Sequence, residues 1–543
     1  MEMKMNTMIK SLFILAIILG LASSTYAQKP AAAQNAQENS QKFARLLRLV
    51  ESYYVDSTNI GELTEKAITS LLQDLDPHSV YISKEEVERM NEPLQGNFEG
   101  IGISFNIHKD TLLVLSTVPG GPSEKIGIMA GDRFIYIDGR NVAGIGIENE
   151  DVMKMLRGEK GTKVEIRVKR RSIAELIDFT IIRDKIPINS LEASYMIDKE
   201  TGYIKLNRFA ATTIEEFRTA MTGLQSQNIK NLILDLRGNG GGYLKAAIDL
   251  ADEFLPGNSL VVYTEGINNP KRDYKATQEG SFEKGKLVVL MNEGSASASE
   301  IVAGAIQDWD RGVIIGRRSF GKGLVQQPFF LTDGSMVRLT TAHYYTPSGR
   351  GIQKPYENGV EDYRNDYQRR LESGEMFSAD SISFPDSLKY KTLINERIVY
   401  GGGGIMPDIF VSLDTSYLYR YYNRIQRNQL INNFSLEYLD KNRNSLTKKY
   451  PDFNQFNMKF NATDDMVETI VANGEKEGIE RDQESINFTL EQMKKEIKAI
   501  IARDLFTRDN FYRILNQDDK TILKALELLQ DQKMYQDFLV KID

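Results

Sequence analysis

Three short runs of almost unbroken aliphatic residues, Leu232–Leu236, Leu287–Met291 and Val313–Ile315, recur along this 543-residue chain with helical patterns between them. A strand with one wet face alternates apolar and polar side chains, so strands that are apolar at nearly every position must be covered on both faces. The pattern calls for a mostly parallel sheet with helices packed against it, an α/β arrangement. A further strand at Tyr203–Leu206 opens this region. It leads into a helix with Thr212 and Thr213 as capping candidates, Glu215 and Glu216 completing either capping box, and Ile214, Phe217, Met221 and Leu224 facing the core.

The chain is too long for a single core, and the remainder divides by pattern. Lys4 and Lys10, an apolar stretch from Leu12 to Ala22 and the small residues before Gln28 read as a secretory signal over residues 1–27. The apolar run is shorter than the roughly 20 residues that a membrane span needs, so no stable span is expected once the signal is removed. Residues 28–41, rich in Ala, Gln and Asn, read as a flexible leader. A helical region follows over 42–95, with Phe43, Leu46, Leu47 and Val50 on one face. From 96 to 185 short strands and glycine turns make a β-rich module, in which Val164, Ile166 and Val168 alternate with charged residues and one helix runs from Asn149 to Leu156. The α/β core spans 186–415, interrupted by a polar insertion at 356–400, and 416–543 is charged and helical. With a formal net charge of -7 the chain offers no basic field for nucleic acid, and with no cysteine it has neither a disulfide framework nor a thiolate nucleophile.

The chemistry gathers after the second aliphatic run. Gly294-Ser-Ala-Ser-Ala-Ser-Glu300 sits where a strand gives way to a helix, and backbone N–H groups at a helix start are unpaired and carry positive potential. Ser297 at that junction is a candidate nucleophile, and the N–H of Ala298 a candidate oxyanion donor. The competing reading is that Ser295, Ser297 and Ser299 are small residues that let a helix pack closely, one of them as its cap. Lys322, in Phe320-Gly-Lys-Gly323, is the candidate base; to serve it must be neutral, which requires a desolvated site. Gln326 shares its strand face and can orient the amine without recharging it. The glycine loop Asp235-Leu-Arg-Gly-Asn-Gly-Gly-Gly242 lacks the endings of phosphate-binding loops, so Gly240 or Gly241 is read as a second oxyanion donor. His78, His108 and His343 lie far apart without ligand spacing and receive structural readings; no metal or other cofactor is expected.

Taken in order, Leu75-Asp-Pro-His-Ser79, Gly100-Ile-Gly-Ile103, Gly131-Asp132 with Ile137-Asp-Gly139, the glycine loop, Gly294 to Glu300, Phe320-Gly-Lys-Gly323 with Val325-Gln326, and Thr346-Pro-Ser-Gly349 resemble the carboxyl-terminal processing, or tail-specific, proteases of the S41 serine peptidases. The resemblance covers roughly Phe43 to Asp408. It implies a multidomain α/β protein whose core is of the crotonase/ClpP-like type, with a PDZ domain inserted at 96–185 and helical N- and C-terminal regions. It selects Ser297 among the three serines as nucleophile, with Lys322 as base and Gln326 as the residue that positions it. Glu300 and Asp308 match acidic positions that support the site in the family. Gly100, Ile101, Gly102 and Ile103 become the loop that binds a peptide carboxylate. The expected protein is a periplasmic serine endopeptidase acting on polypeptides with accessible C-termini, as a homo-oligomer or with an adaptor. Its rivals are an inactive PDZ scaffold that only holds client C-termini, and an acyl-transfer or hydratase enzyme on a related core.

Overall fold

The structure is a computed structural model describing residues 31–539 apart from 108–109, 171–172, 278–279 and 416–418. The expected signal at 1–27 and His108 lie outside the described residues. The chain divides into two units between Leu75 and Asp76. The first contains helices α1 (Ala31–Tyr53) and α2 (Ile60–Gln73), the latter capped by Asn59, whose side chain accepts from the Glu62 N–H at 3.2 Å. Residues 31–41, expected to be a structureless leader, are helical. Ala, Gln and Glu favour helix without any apolar stripe, so a missing periodicity did not mean a missing helix.

The second unit opens with strand β1 (Val80–Ile82) and helix α3 (Lys84–Gln95) and then enters the β-rich module. That module comprises β2 (Asn97–Gly100), β3 (Ile103–Ile107), β4 (Leu112–Thr117), α4 (Pro122–Lys125), β5 (Arg133–Ile137), β6 (Arg140–Asn141), α5 (Asn149–Leu156), β7 (Lys163–Lys169), β8 (Ile177–Ile182) and β9 (Asp184–Pro187). The way in and the way out, β2 and β9, pair with each other in antiparallel register. The sheet runs β3-β4-β5-β7-β8 with β6 beside β5, which leaves β3 at an edge. Along β7 the charged residues face outwards while Val164, Ile166 and Val168 are buried against Val152 and Leu156 of α5, as a period of two requires.

The α/β core follows as β10 (Leu191–Met196), β11 (Thr201–Leu206), α6 (Thr213–Gln225), β12 (Asn231–Asp235), α7 (Leu244–Asp252), β13 (Leu260–Gly266), β14 (Asn269–Lys275), β15 (Lys286–Met291), α8 (Ala298–Asp308), β16 (Val313–Gly316), β17 (Leu324–Phe330) and β18 (Met336–Tyr345). The insertion contributes α9 (Val360–Arg364), α10 (Asp366–Glu372), β19 (Lys389–Lys391) and β20 (Ile398–Tyr400), before β21 (Ile409–Phe410). A six-stranded sheet runs β10-β11-β12-β15-β16-β21, parallel except for the β10–β11 pair. The aliphatic runs are its inner strands. Leu232, Leu234, Leu287, Val289 and Ile314 face α6, α7 and α8, while Ile233, Val288, Leu290, Val313 and Ile315 face the other way. A second sheet, β1-β18-β13-β14 with β17 on β18, carries the lysine loop at its rim.

The C-terminal part comprises α11 (Arg420–Arg427), α12 (Leu430–Lys449), α13 (Phe453–Lys459), α14 (Asp464–Lys476), α15 (Gln483–Leu505), α16 (Asp509–Leu515), α17 (Lys520–Gln530) and α18 (Gln532–Leu539). Helices α11 to α16 share one core that includes Tyr422, Ile470, Met493, Ile497 and Ile501. The expected helical domain at 416–543 does not stay a unit of its own, because α17 and α18 cover the second face of the core sheet. Ile522, Ala525, Leu528 and Tyr535 pack on Ile233, Val288 and Val313. They supply the outer layer that two-sided apolar strands demand. Among the described residues no helix is long and apolar enough to cross a membrane.

Candidate active site

Ser297 occupies the turn between β15 and α8 with φ 57° and ψ −111°. A side-chain-bearing residue at such a φ carries strain on the order of 1–3 kcal/mol, so its surroundings must impose it. Glu300 Oε2 accepts from the Ser297 N–H at 2.7 Å, and the Ser297 carbonyl accepts from Glu300 N, Ile301 N and Tyr344 Oη at 2.9, 3.0 and 3.1 Å. All residues of α8 are buried, which anchors the turn from the other end. The three serines separate by what their hydroxyls do. Ser295 Oγ donates to the Leu236 carbonyl and Ser299 Oγ to the Asn239 carbonyl, each at 2.8 Å. The Ser297 hydroxyl has no such acceptor among the described residues and lines a cleft of about 1360 Å³.

The glycine loop after β12 forms the neighbouring wall. At its base the buried Asp235 holds Arg237, Lys205 and Tyr203, and Arg237 reaches Asp519 ahead of α17. Gly241 has φ 100°, and a Cβ there would lie 2.8 Å from the Ala296 carbonyl and 2.9 Å from Ser297 Cβ, so only glycine lets loop and serine turn approach so closely. The structure corrects the role given to its N–H, which donates to Asn239 Oδ1 at 2.9 Å and is spent on shaping the loop. The Gly240 N–H has no acceptor among the described residues, and Gly240 lines the cleft with Ala298.

The lysine loop closes the cleft ahead of β17. Lys322 Nζ donates to Gln326 Oε1 at 2.9 Å across a bulge in the β17–β18 pairing. Burial, with Arg338 adding to it, pushes the Lys322 amine below its ordinary value, against Glu300 and Asp76. Among the described residues no hydrogen bond joins Lys322 Nζ to Ser297 Oγ, although both face the cleft. Glu300 ties the two halves together, because Oε1 accepts from Ser319 Oγ and Gly321 N at 2.5 and 2.7 Å while Oε2 accepts from Ser297 N and Lys322 N at 2.7 and 2.9 Å. Burial raises its carboxyl to about 7, opposed by these four donors.

Gln326 is itself held, its Nε2 donating to the His78 carbonyl. Asp76 Oδ1 accepts from His78 N and Ser79 N at 2.7 and 2.8 Å, which fixes that carbonyl. Burial lowers the His78 imidazole to about 4, with Lys322 and Lys354 adding to the effect and Asp76 opposing it. His78 and Tyr344 are the supports that the sequence reading missed; the Asp-Pro-His-Ser turn was the visible signal for the first. His343 is exposed on β18. Asp308 does not join the site. It closes the far end of α8, paired with Arg350 at 2.7 Å and accepting from Ser348 N at 2.9 Å, so it anchors the Thr346–Gly349 turn. No group of three or more metal-ligating side chains occurs among the described residues.

In the β-rich module Gly100 to Ile103 lead directly into the edge strand β3. Gly102 has φ 74°, the buried Ile101 carbonyl accepts from Ser123 N and Oγ, and the N–H groups of Ile101 and Gly102 have no acceptor among the described residues. Successive free N–H groups beside an open strand edge suit a carboxylate at the end of an added strand.

Residues 200–362 match peptidase family S41, residues 113–170 match a PDZ domain, and residues 421–507 match a family of unknown function. A carboxy-terminal-processing protease of Bartonella bacilliformis is 36% identical over 324 residues, 59% of this chain and 74% of that protein. The carboxy-terminal processing protease CtpA of Bacillus subtilis is 35% identical over 325 residues, 59% of this chain and 69% of that one. CtpB of the same organism is 32% identical over 367 residues, covering 66% and 74%. With a strained serine, a half-buried lysine and a PDZ domain on one chain, and relatives of this closeness, the chain belongs to the carboxy-terminal processing proteases of peptidase family S41.

Proposed function

We propose that the chain captures polypeptide C-termini on its PDZ domain and cleaves them through a Ser297 acyl-enzyme with Lys322 as base. The observation that carries this reading is the pairing, across one cleft, of a serine hydroxyl with no acceptor among the described residues and a half-buried amine held by a neutral carboxamide. Lys322 Nζ takes the Ser297 proton as Oγ bonds to the scissile carbonyl carbon. The N–H groups of Ala298 and Gly240 receive the oxyanion. As the C–N bond breaks, Lys322 returns the proton to the leaving amine; water then attacks the ester with Lys322 as base again. A charged lysine could not begin this cycle, which gives the desolvated setting of the amine its purpose. The cycle also needs the amine to reach Ser297 Oγ, and we tie that approach to peptide capture at β3.

We place the activity outside the cytoplasm, in the periplasm, on the strength of the N-terminal signal pattern. The test is hydrolysis of a purified protein with an apolar C-terminal tail, with the tail carboxylate free or amidated. Free tails should be cleaved, Ser297→Ala should abolish cleavage, and amidation should raise KM about tenfold with little change in kcat. Cleavage that persists in Ser297→Ala contradicts the reading.

A further inference from the structure

The insertion at 356–400 is the part of the core that neither the catalytic cycle nor the PDZ domain uses, yet two of its side chains, Tyr363 and Arg370, are buried against the lysine loop. Tyr363 of α9 is 3% exposed, and its hydroxyl lies 2.7 Å from His78 Nε2. Its ring meets the rings of His78 and Phe320 edge-on, with centroids 5.2 and 5.9 Å away. Lys354 Nζ sits 4.0 Å over the Phe320 ring and 4.1 Å over that of Tyr363, held there by Asp366 of α10 at 3.1 Å. Gln353 bridges the other side, donating to Tyr363 Oη at 3.4 Å while accepting from Gly323 N at 2.8 Å. Tyr363 therefore touches supports on both flanks of Lys322.

Arg370 of α10 holds the upstream half of the same loop. Buried to 4% exposure, it donates to the Ser319 and Arg318 carbonyls at 3.2 and 2.6 Å, and Glu375 clamps both Arg370 and Arg318 at 2.7 Å. Ser319 in turn donates to Glu300, the carboxylate shared with Ser297. Two routes thus lead from the insertion to the reacting pair: Tyr363 to His78 to Gln326 to Lys322, and Arg370 to Ser319 to Glu300. A segment that merely decorated the surface would not spend a buried tyrosine and a buried arginine on one six-residue loop.

We propose that the 356–400 insertion is a brace for the catalytic base, with Tyr363 and Arg370 as positioning residues that act on Lys322 through the Gln326 carboxamide and the 318–323 backbone. The proposal rests on the reading of Lys322 as base. The charged and titratable groups that bear on that amine are Arg338, Glu300, Asp76 and His78, the last of them also beside Lys354, and Tyr363→Phe changes none of their charges.

The test is steady-state hydrolysis of the tailed substrate by the full chain across pH. In Tyr363→Phe, which keeps the ring and removes only the hydroxyl, kcat should fall roughly tenfold with KM nearly unchanged. The ascending limb of its pH profile should move to higher pH, because an amine held less firmly is better hydrated and more readily charged. In a Gln326→Ala background the same change should do nothing further. Arg370→Gln, acting from the other side of the loop, should reproduce the kcat loss. Folded Tyr363→Phe with unchanged kcat and limb, or a loss that adds fully to that of Gln326→Ala, overturns the brace; so does a lowered melting temperature with no change in limb. Should Tyr363→Phe fail to fold, Arg370→Gln decides, and unchanged kcat there overturns the proposal. Wild-type turnover that Ser297→Ala abolishes is established first, since its absence overturns the peptidase reading itself.

Discussion

The turn that carries Ser297 is held mainly by its own strand and helix and by the glycine loop beside it, with Tyr344 of β18 as an outside donor, whereas the loop that carries Lys322 is held largely from residues 76–79 and 353–405. On the serine side the backbone is strained and every supporting hydroxyl is already committed. On the lysine side the backbone relies on side chains that arrive from far along the chain. Among the described residues, Glu300 is the carboxylate that binds both. The serine turn draws most of its support from one strand-turn-helix unit, but desolvating an amine takes walls on several sides, and those must come from several segments.

Each half can be broken separately. The largest effect is expected from Ser297→Ala, which removes the proposed nucleophile while leaving Glu300 and its donors in place; activity should fall by at least about a thousandfold without loss of fold, read by kinetics and circular dichroism. Next comes acid stability, which belongs to the lysine half. Burial lowers His78 from 6.5 to about 4, so the unfolded chain takes up a proton before the folded one does. The stability this represents is fully present above pH 6.5 and is lost as pH falls towards 4, on the order of 3 kcal/mol in all. His78→Gln should flatten the pH dependence of the melting temperature over that window.

Gly241→Ala tests the serine half with a single methyl group. It would force a Cβ onto Ala296 and Ser297 at a φ that disfavours side chains, at a cost of about 2 kcal/mol, and kcat should drop by more than it does for alanine at the open Gly240. The smallest effect is expected from Arg338→Met. Removing a positive neighbour lets Lys322 hold its proton more tightly, so the ascending limb of kcat/KM should move to higher pH while the plateau stays near wild type. A limb that moves down would remove Arg338 from the account.

The same contrast explains what could be read in advance. The aliphatic strands, the serine at a helix start and the Lys322–Gln326 pair are local patterns; the structure buries the strands in the core sheet and places the serine and the pair in one cleft. The His78 carbonyl, the buried Tyr363 and the packing of Ile522 and Leu528 beneath the sheet are contacts across hundreds of residues, which no periodicity encodes. Gly241 and Asp308 were misplaced for related reasons. A glycine motif does not say which N–H points inwards, and an acidic residue one helix-length from the serine sits some 16 Å away at 1.5 Å per residue. Of the leader expected at 28–41, residues 31–41 are helical because Ala, Gln and Glu favour helix without any apolar spacing.

The most direct measurement is the rate at which a fluorophosphonate labels Ser297, followed across pH in the wild type and in Lys322→Met. Labelling should climb with pH along a limb below the ordinary lysine range and become slow and flat once the amine is gone. Equal labelling rates in the two proteins would contradict the assignment of Lys322 as the base.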